Sequence, residues 1–261
     1  MTKKEFCDIE KLYHYTNLDS ALRIIESKLL LFNHLSNLND INELYRPLFY
    51  DNLTPETVAL AKAEMAKYQQ ISLTRDFCRI GFDIPAMWGH YGDNGKGVCF
   101  IFDKKKLIDS IPKTVYHDKV EYVSNDHSFS VYFETKEEKI VPFKDEDIKD
   151  FFFKKTCDWS YEQEYRLLIH TNDKCRCKLP LNDAIIALVM RDAREYSENY
   201  NGEMSLNYKL LRKIADPHID ILEYDSFCGR RHLQILKSGE MLGDEVWDSI
   251  GECVLDISPR I

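Results

Sequence analysis

Residues 184–190 read Ala-Ile-Ile-Ala-Leu-Val-Met, with no polar side chain in the run. Such a segment is expected as a central strand, buried on both faces, so its fold needs sheet neighbours and covering helices. The neighbours are legible. Val98-Cys99-Phe100-Ile101-Phe102 reads as another buried strand and Leu12-Tyr13-His14-Tyr15 as a short β-prone run; 71–74, 114–123, 161–169 and 219–224 are further strands. Helices are expected between them. Thr16-Asn17-Leu18-Asp19 has the form of a capping box, after which Leu18, Ala21, Leu22, Ile25 and Leu29 recur on one helical face. Helices at 55–70, 85–91, 147–157 and 206–215, and a short one capped by Asp103, complete the set, whereas 124–145 is polar and carries no clear period. The pattern is that of an α/β (α+β) protein.

No Pro/Gly/Ser-rich linker and no repeat divides the 261 residues, so a single domain over 1–261 is expected, with a core at 12–225 and a C-terminal appendix at 226–261. With 44% apolar residues, 15 Tyr and 14 Phe there is ample material for a packed interior. The first residues, Met-Thr-Lys-Lys-Glu-Phe-Cys-Asp, lack a signal-peptide core, and no stretch has the length of a membrane span; a soluble protein of the cytoplasm with no membrane contact is expected. The eight cysteines are scattered and suit reduced thiols; Cys175-Arg176-Cys177 lacks further ligands at the spacing of a structural zinc site, so no metal is assigned. A net charge of −9 argues against nonspecific coating of nucleic acid. The clusters Lys104-Lys105-Lys106, Lys154-Lys155, Arg212-Lys213 and Arg230-Arg231-His232 read as solvated surface charge, with gripping of a short nucleic-acid segment as the other reading.

Two segments carry candidate chemistry. In a strand at 161–169, alternation sets Glu162, Glu164 and Arg166 on one face, a tuned acid pair or an ordinary ion pair between strands. Trp159, Tyr161 and Tyr165 lie beside them in sequence, and Trp88, His90 and Tyr91 stand next to the turn Gly92-Asp93-Asn94-Gly95-Lys96-Gly97; aromatic faces of this kind suit a flat heteroaromatic ligand. The second segment is His14-Tyr15-Thr16, which precedes a helix N-terminus. Such a terminus favours phosphate and the histidine has the chemistry to bond a ribose hydroxyl, although a satisfied core histidine has the same sequence signature. Asn39-Asp40-Ile41-Asn42-Glu43 is a polar wall or a turn and lacks the spacing of a calcium loop. Phosphate-binding glycine loops, the serine elbow and His-Glu-x-x-His are all missing from the sequence.

Taken in order, Leu12-Tyr13-His14-Tyr15-Thr16, Leu38-Asn39-Asp40-x-x-Glu43, Met87-Trp88-x-His90-Tyr91-x-Asp93-x-x-Lys96-Gly97-Val98 and Trp159-x-Tyr161-Glu162-x-Glu164-Tyr165-Arg166 resemble a family of bacterial proteins carried as a domain of unknown function. More distantly, Tyr13-His14-Tyr15-Thr16 is similar to the opening of diphtheria-toxin-like and DNA-targeting ADP-ribosyltransferases, and Glu162-Gln163-Glu164 to the Glu-x-Glu signature of arginine-specific members. The resemblance implies a mixed, largely antiparallel sheet flanked by helices, with NAD as substrate. It further implies that Glu164 stabilises the oxocarbenium character formed as the nicotinamide bond breaks, and that Glu162 orients or deprotonates the acceptor. By the same resemblance His14 holds a ribose, Tyr15, Trp88 or Tyr91 stacks on a ring of NAD, and Thr16, His90 and Arg166 add polar contacts.

The expected function is therefore transfer of ADP-ribose to RNA, DNA or protein by a toxin or phage-defence effector, with an antitoxin or chaperone as protein partner. Two alternatives stay open. One is a metal-dependent nuclease or hydrolase using the same acids; the other is a noncatalytic nucleic-acid or protein-binding module whose aromatics stack bases.

Overall fold

A computed structural model describes residues 3–35, 54–124, 135–136, 139–140, 145–195, 203–227, 230–237 and 240–241. In chain order its helices are α1 (Lys3–Asp8), α2 (Leu18–Ser27), α3 (Pro55–Met65), α4 (Pro85–His90), α5 (Lys104–Asp109), α6 (Asp145–Phe152) and α7 (Leu206–Ile214). Its strands are β1 (Lys11–Thr16), β2 (Leu29–Leu31), β3 (Asn33–His34), β4 (Tyr68–Arg75), β5 (Val98–Asp103), β6 (Val115–Lys119), β7 (Glu121–Val123), β8 (Thr135–Lys136), β9 (Lys139–Ile140), β10 (Lys154–Thr156) and β11 (Glu164–His170). They continue with β12 (Lys178–Pro180), β13 (Ile185–Met190), β14 (Arg194–Glu195), β15 (Glu203–Met204), β16 (Asp220–Phe227), β17 (Arg230–Lys237) and β18 (Glu240–Met241). The result is a mixed α+β protein built on open, largely antiparallel sheet with flanking helices.

The chain packs as two compact units: Met1–Leu30, Leu73–Ile111 and Pro180–Ile261 make the first, and Leu31–Ser72 and Pro112–Leu179 the second. Both are discontinuous. The chain changes unit inside β4, between Ser72 and Leu73, which is why no linker composition marks the division.

In the first unit the apolar 184–190 run takes the inner place its composition requires. β13 is antiparallel to β5 and parallel to β16, β5 is antiparallel to β1, and β17 and β18 extend the sheet beyond β16. Of the expected appendix, the described residues to Met241 thus belong to the sheet. Tyr15 is registered with Cys99 and Cys99 with Val189, so their side chains share one face with Tyr13 and Ile101. Phe82 and Trp88 pack on that face, edge-on against Tyr13 and Tyr15 respectively. Gly81 has no alternative residue here, since a Cβ would come within 2.0 Å of the Tyr13 ring. Asn17 caps α2 by accepting from Ser20 N at 2.8 Å, whereas Thr16, the expected cap, is the last residue of β1 and pairs with Val98.

In the second unit β11 is antiparallel to β6, β4 is the other neighbour of β11, and β10 is parallel to β7. Leu35, Tyr68, Ile148, Phe151, Phe152, Phe153 and Leu168 form its apolar cluster. The expected helix 55–70 stops at Met65 and β4 begins at Tyr68. Tertiary contacts override the helical period there: Tyr68 lies on Phe152 with ring centroids 4.5 Å apart, and Gln69 exchanges hydrogen bonds with the backbone of Cys175 and Cys177. Likewise α6 ends at Phe152 because residues 154–156 pair with β7, and the expected strand 114–123 breaks at Val120, whose N–H donates to Glu164 O.

Candidate functional site

The acid pair is not set by strand alternation. Cys157–Glu162 winds into a 3-10 helix, Gln163 adopts a left-handed conformation (φ 48, ψ 45), and the strand starts only at Glu164. This turn closes on itself electrostatically. Lys155, just before it, donates to Glu162 Oε2 at 2.7 Å and lies 3.6 Å from Glu164 Oε2. The Trp159 ring covers the Lys155 ammonium, 4.6 Å from Nζ to the ring centroid, while Tyr165 points to the other side of the strand and bonds His117.

Arg166 completes the group. Its Nε and Nη2 donate to the two carboxylate oxygens of Glu164, each at 2.8 Å, and its Nη1 donates to Phe152 O. The backbone N–H of Glu164 donates to the Tyr122 hydroxyl at 2.8 Å, and the Ser72 hydroxyl bonds its carboxylate. Lys155, Glu162, Glu164 and Arg166 are all buried, none more than 6% exposed, so two carboxylates and two cations form a compensated quartet. Burial by itself would raise the carboxyl of Glu164. The Arg166 and Lys155 charges, with hydrogen bonds from Arg166 and Ser72, outweigh that and bring it down to about 2. Glu164 is thus a fixed anion and not a proton donor at neutral pH.

The quartet has an outlet. Ser72 is exposed on β4, whose neighbouring residues are buried, and its hydroxyl meets Glu164 on one side and accepts from Gln70 Nε2 at 3.1 Å on the other. Gln70 Oε1 is buried without a hydrogen-bond partner, an acceptor left over beside this polar line. Ser72, Gln70 and Tyr122 were not singled out by the sequence, and Lys155 was read there only as part of a basic cluster. Lys155 in particular stands in a Lys-Lys pair expected at the surface, of which only Lys154 keeps a partly exposed position, paired with Asp150 at 2.6 Å.

In the first unit His14 is half-buried on β1, opposite Phe100, and Thr16 is half-buried at the strand end. Tyr15 and Trp88 are not free to stack on a ligand. Their rings meet edge-on at 5.1 Å, Tyr15 donates to Gly81 O at 2.6 Å, Trp88 Nε1 donates to Phe82 O at 2.8 Å, and both are buried. Of the expected aromatic contacts, exposed His90, the last residue of α4, and half-buried Tyr91 next to it remain accessible. They are followed by Asp93, Asn94 and Gly95, all at positive φ. Gly97 sits so close to β1 that a Cβ would meet Thr16 O at 2.2 Å. Arg166, expected to contact NAD, has its guanidinium fully engaged with Glu164 and Phe152.

The polar segment 37–43 lies outside the described residues. Cys175 and Cys177 belong to a loop fastened by Gln69, and among the described residues no three His, Cys, Asp or Glu gather closely enough to hold a metal ion. Among the same residues no helix is long and apolar enough to cross a membrane. No curated protein and no solved structure matches the chain. Residues 87–167 match the model of a family described as a protein of unknown function (DUF2971), a span that contains Trp88, His90, Tyr91, Glu162, Glu164 and Arg166 and leaves His14 outside.

Proposed function

We propose that the chain is an ADP-ribosyltransferase that uses NAD to modify RNA, DNA or protein, acting as a toxin or phage-defence effector under the control of a partner protein. The observation that carries this reading is the exposed Ser72 hydroxyl bonded to a buried Glu164 whose carboxyl is held well below its ordinary range. Breaking the bond between nicotinamide and ribose leaves positive charge on the ribose while the electron pair departs with nicotinamide. A fixed carboxylate stabilises that charge, and a serine at its solvent side holds it in position.

In the resting protein the charge of Glu164 is answered by Arg166, so the reading requires this pair to loosen when NAD enters. The same loosening must free Glu162 from Lys155, so that it orients the acceptor and takes the proton that the acceptor's nucleophilic atom gives up as it bonds the ribose carbon. Within the first unit, half-buried His14 and Thr16 and the accessible His90 and Tyr91 keep surface that a ligand can reach, and Tyr15 and Trp88 support them from the core.

The test is incubation of the purified protein with labelled NAD and cellular RNA, DNA and protein. Wild type is expected to transfer label and release nicotinamide, and to do so in EDTA, since the transfer needs no metal. Ser72→Ala should lower the rate about tenfold to a hundredfold. Its melting temperature should fall only modestly, since the bond to the Glu164 carboxylate and the acceptor of Gln70 Nε2 are lost while the exposed side chain leaves no cavity. Absence of both label transfer and nicotinamide release from wild type overturns the reading, and activity abolished by EDTA redirects it to the metal-dependent hydrolase.

A further inference from the structure

The chain leaves β4 through Arg75-Asp76-Phe77-Cys78-Arg79, a turn fastened at several points. Arg75 is still registered with Leu12 of β1, Gly81 N donates to Asp76 Oδ1 at 2.8 Å, Phe77 N donates to Arg79 O at 3.2 Å, and Gly81 O accepts from the Tyr15 hydroxyl. On this held turn Phe77 is 51% exposed, the one aromatic ring among the large apolar side chains exposed in the described residues. Its surroundings are cationic. The Arg75 guanidinium lies over the Phe77 ring, 4.5 Å from its centroid, and Arg79 is exposed two residues on. The carboxylates of the segment do not face the ring's partners: Asp76 is bonded to Gly81 N and lies 4.0 Å from Lys11, and Asp83 is buried, accepting from the Tyr224 hydroxyl. Glu10, whose charge reaches Asp76, is paired with Lys104.

The ligand for such a turn combines a flat face for the ring with negative charge for the guanidinium groups on either side of it. Single-stranded nucleic acid has both in every unit, since a base able to stack is joined to a phosphate. An acidic protein segment supplies the charge without the flat face. A free nucleotide has the right chemistry but the wrong setting, because small-molecule sites are concave and enclose most of their ligand, whereas half of the Phe77 side chain stands in solvent. A duplex keeps its bases stacked on one another and away from the ring. We infer that residues 75–79 bind single-stranded nucleic acid, one base stacking on Phe77 and the adjoining phosphates meeting Arg75 and Arg79.

The test titrates fluorescein-labelled oligouridine of about 12 nucleotides with the full-length protein and follows anisotropy. NAD is left out, so the outcome is independent of whether the chain transfers ADP-ribose. Saturable binding is expected. Phe77→Ala should weaken it about tenfold, Phe77→Trp should retain it, and Arg79→Ala should weaken it and lower the salt slope by about 1. These variants should melt close to wild type, because both side chains are exposed. The bound strand should also slow alkylation of the exposed thiol of Cys78 several-fold, an effect that Phe77→Ala should remove. Absence of saturable binding, equal affinity of wild type and Phe77→Ala, or an unprotected Cys78 overturns the inference. Equal binding of a duplex of the same length overturns it too, and displacement of the strand by poly-glutamate or by NAD at matched charge gives the turn to an acidic protein or to a free nucleotide instead.

Discussion

Arg166 closes on Glu164 through two parallel hydrogen bonds, Nε to Oε1 and Nη2 to Oε2, each 2.8 Å long and both buried. The third bond of the guanidinium, to Phe152 O, ties the head of β11 to the end of α6. Removing the cation alone leaves a buried carboxylate whose remaining charge partner, Lys155, it shares with Glu162. Arg166→Met should therefore cost about 3–5 kcal/mol, and Arg166→Met with Glu164→Leu should recover much of that loss. Urea denaturation followed by circular dichroism checks both. A loss below about 1 kcal/mol for the single variant, the scale of an exposed pair, contradicts the closed geometry.

Acid should reveal the same pair. The carboxyl of Glu164 is depressed from its ordinary 4.5 to about 2, so its stabilising contribution is complete above 4.5 and disappears as pH falls toward 2. A shift of that size corresponds to roughly 3 kcal/mol at most. Asp76 has the opposite sign, since burial raises its carboxyl and protonation relieves it, but it is common to wild type and variant and cancels in their difference. The stability gap between wild type and Glu164→Gln is expected to be widest near neutrality and to narrow between about pH 5 and pH 3. A gap that stays constant over that range assigns the depressed carboxyl elsewhere.

The fold was legible where burial dictates residue type. The apolar runs at 98–102 and 184–190 became β5 and β13, and Asp103 caps its short helix by accepting from Lys106 N at 3.0 Å. It was not legible where a distant contact decides between two local choices, as at Tyr68, whose ring is claimed by Phe152. The acids at 162 and 164 were legible as a pair, but their partners were not. Lys155 looks like surface charge until a turn folds it over Glu162, and Ser72 has no signal of its own because its meaning comes from the strand beside it. Trp88 and Tyr15 have the composition of a ligand platform, yet the same aromatic area is what a core takes when both polar atoms find backbone carbonyls.

Two glycines in the segment between β4 and β5 should respond in opposite directions to alanine. At Gly81 the added Cβ meets the buried Tyr13 ring at 2.0 Å, a clash that the packed face cannot absorb, and a loss of about 3 kcal/mol or more is expected. At Gly89, inside α4, nothing lies within 4 Å of the added Cβ, so helix propensity should raise stability by about 0.5–1 kcal/mol. Thermal melts of the two variants decide this, and a stable Gly81→Ala protein would show that Tyr13 has room to move.

The accessible and buried aromatics should separate in the same manner. Trp88→Ala removes a fully buried indole together with its bond to Phe82 O, and should cost about 3–5 kcal/mol whether or not NAD is present. His90→Ala and Tyr91→Ala remove side chains that keep solvent contact, so their melting temperatures should stay close to wild type. A fall in nicotinamide release by either of these two then reports a ligand contact and not damage to the fold. The comparison is made by measuring melting and NAD turnover on the same preparations. If Trp88→Ala melts like wild type while losing turnover, Trp88 contacts the ligand after all, and the division between core and contact residues fails.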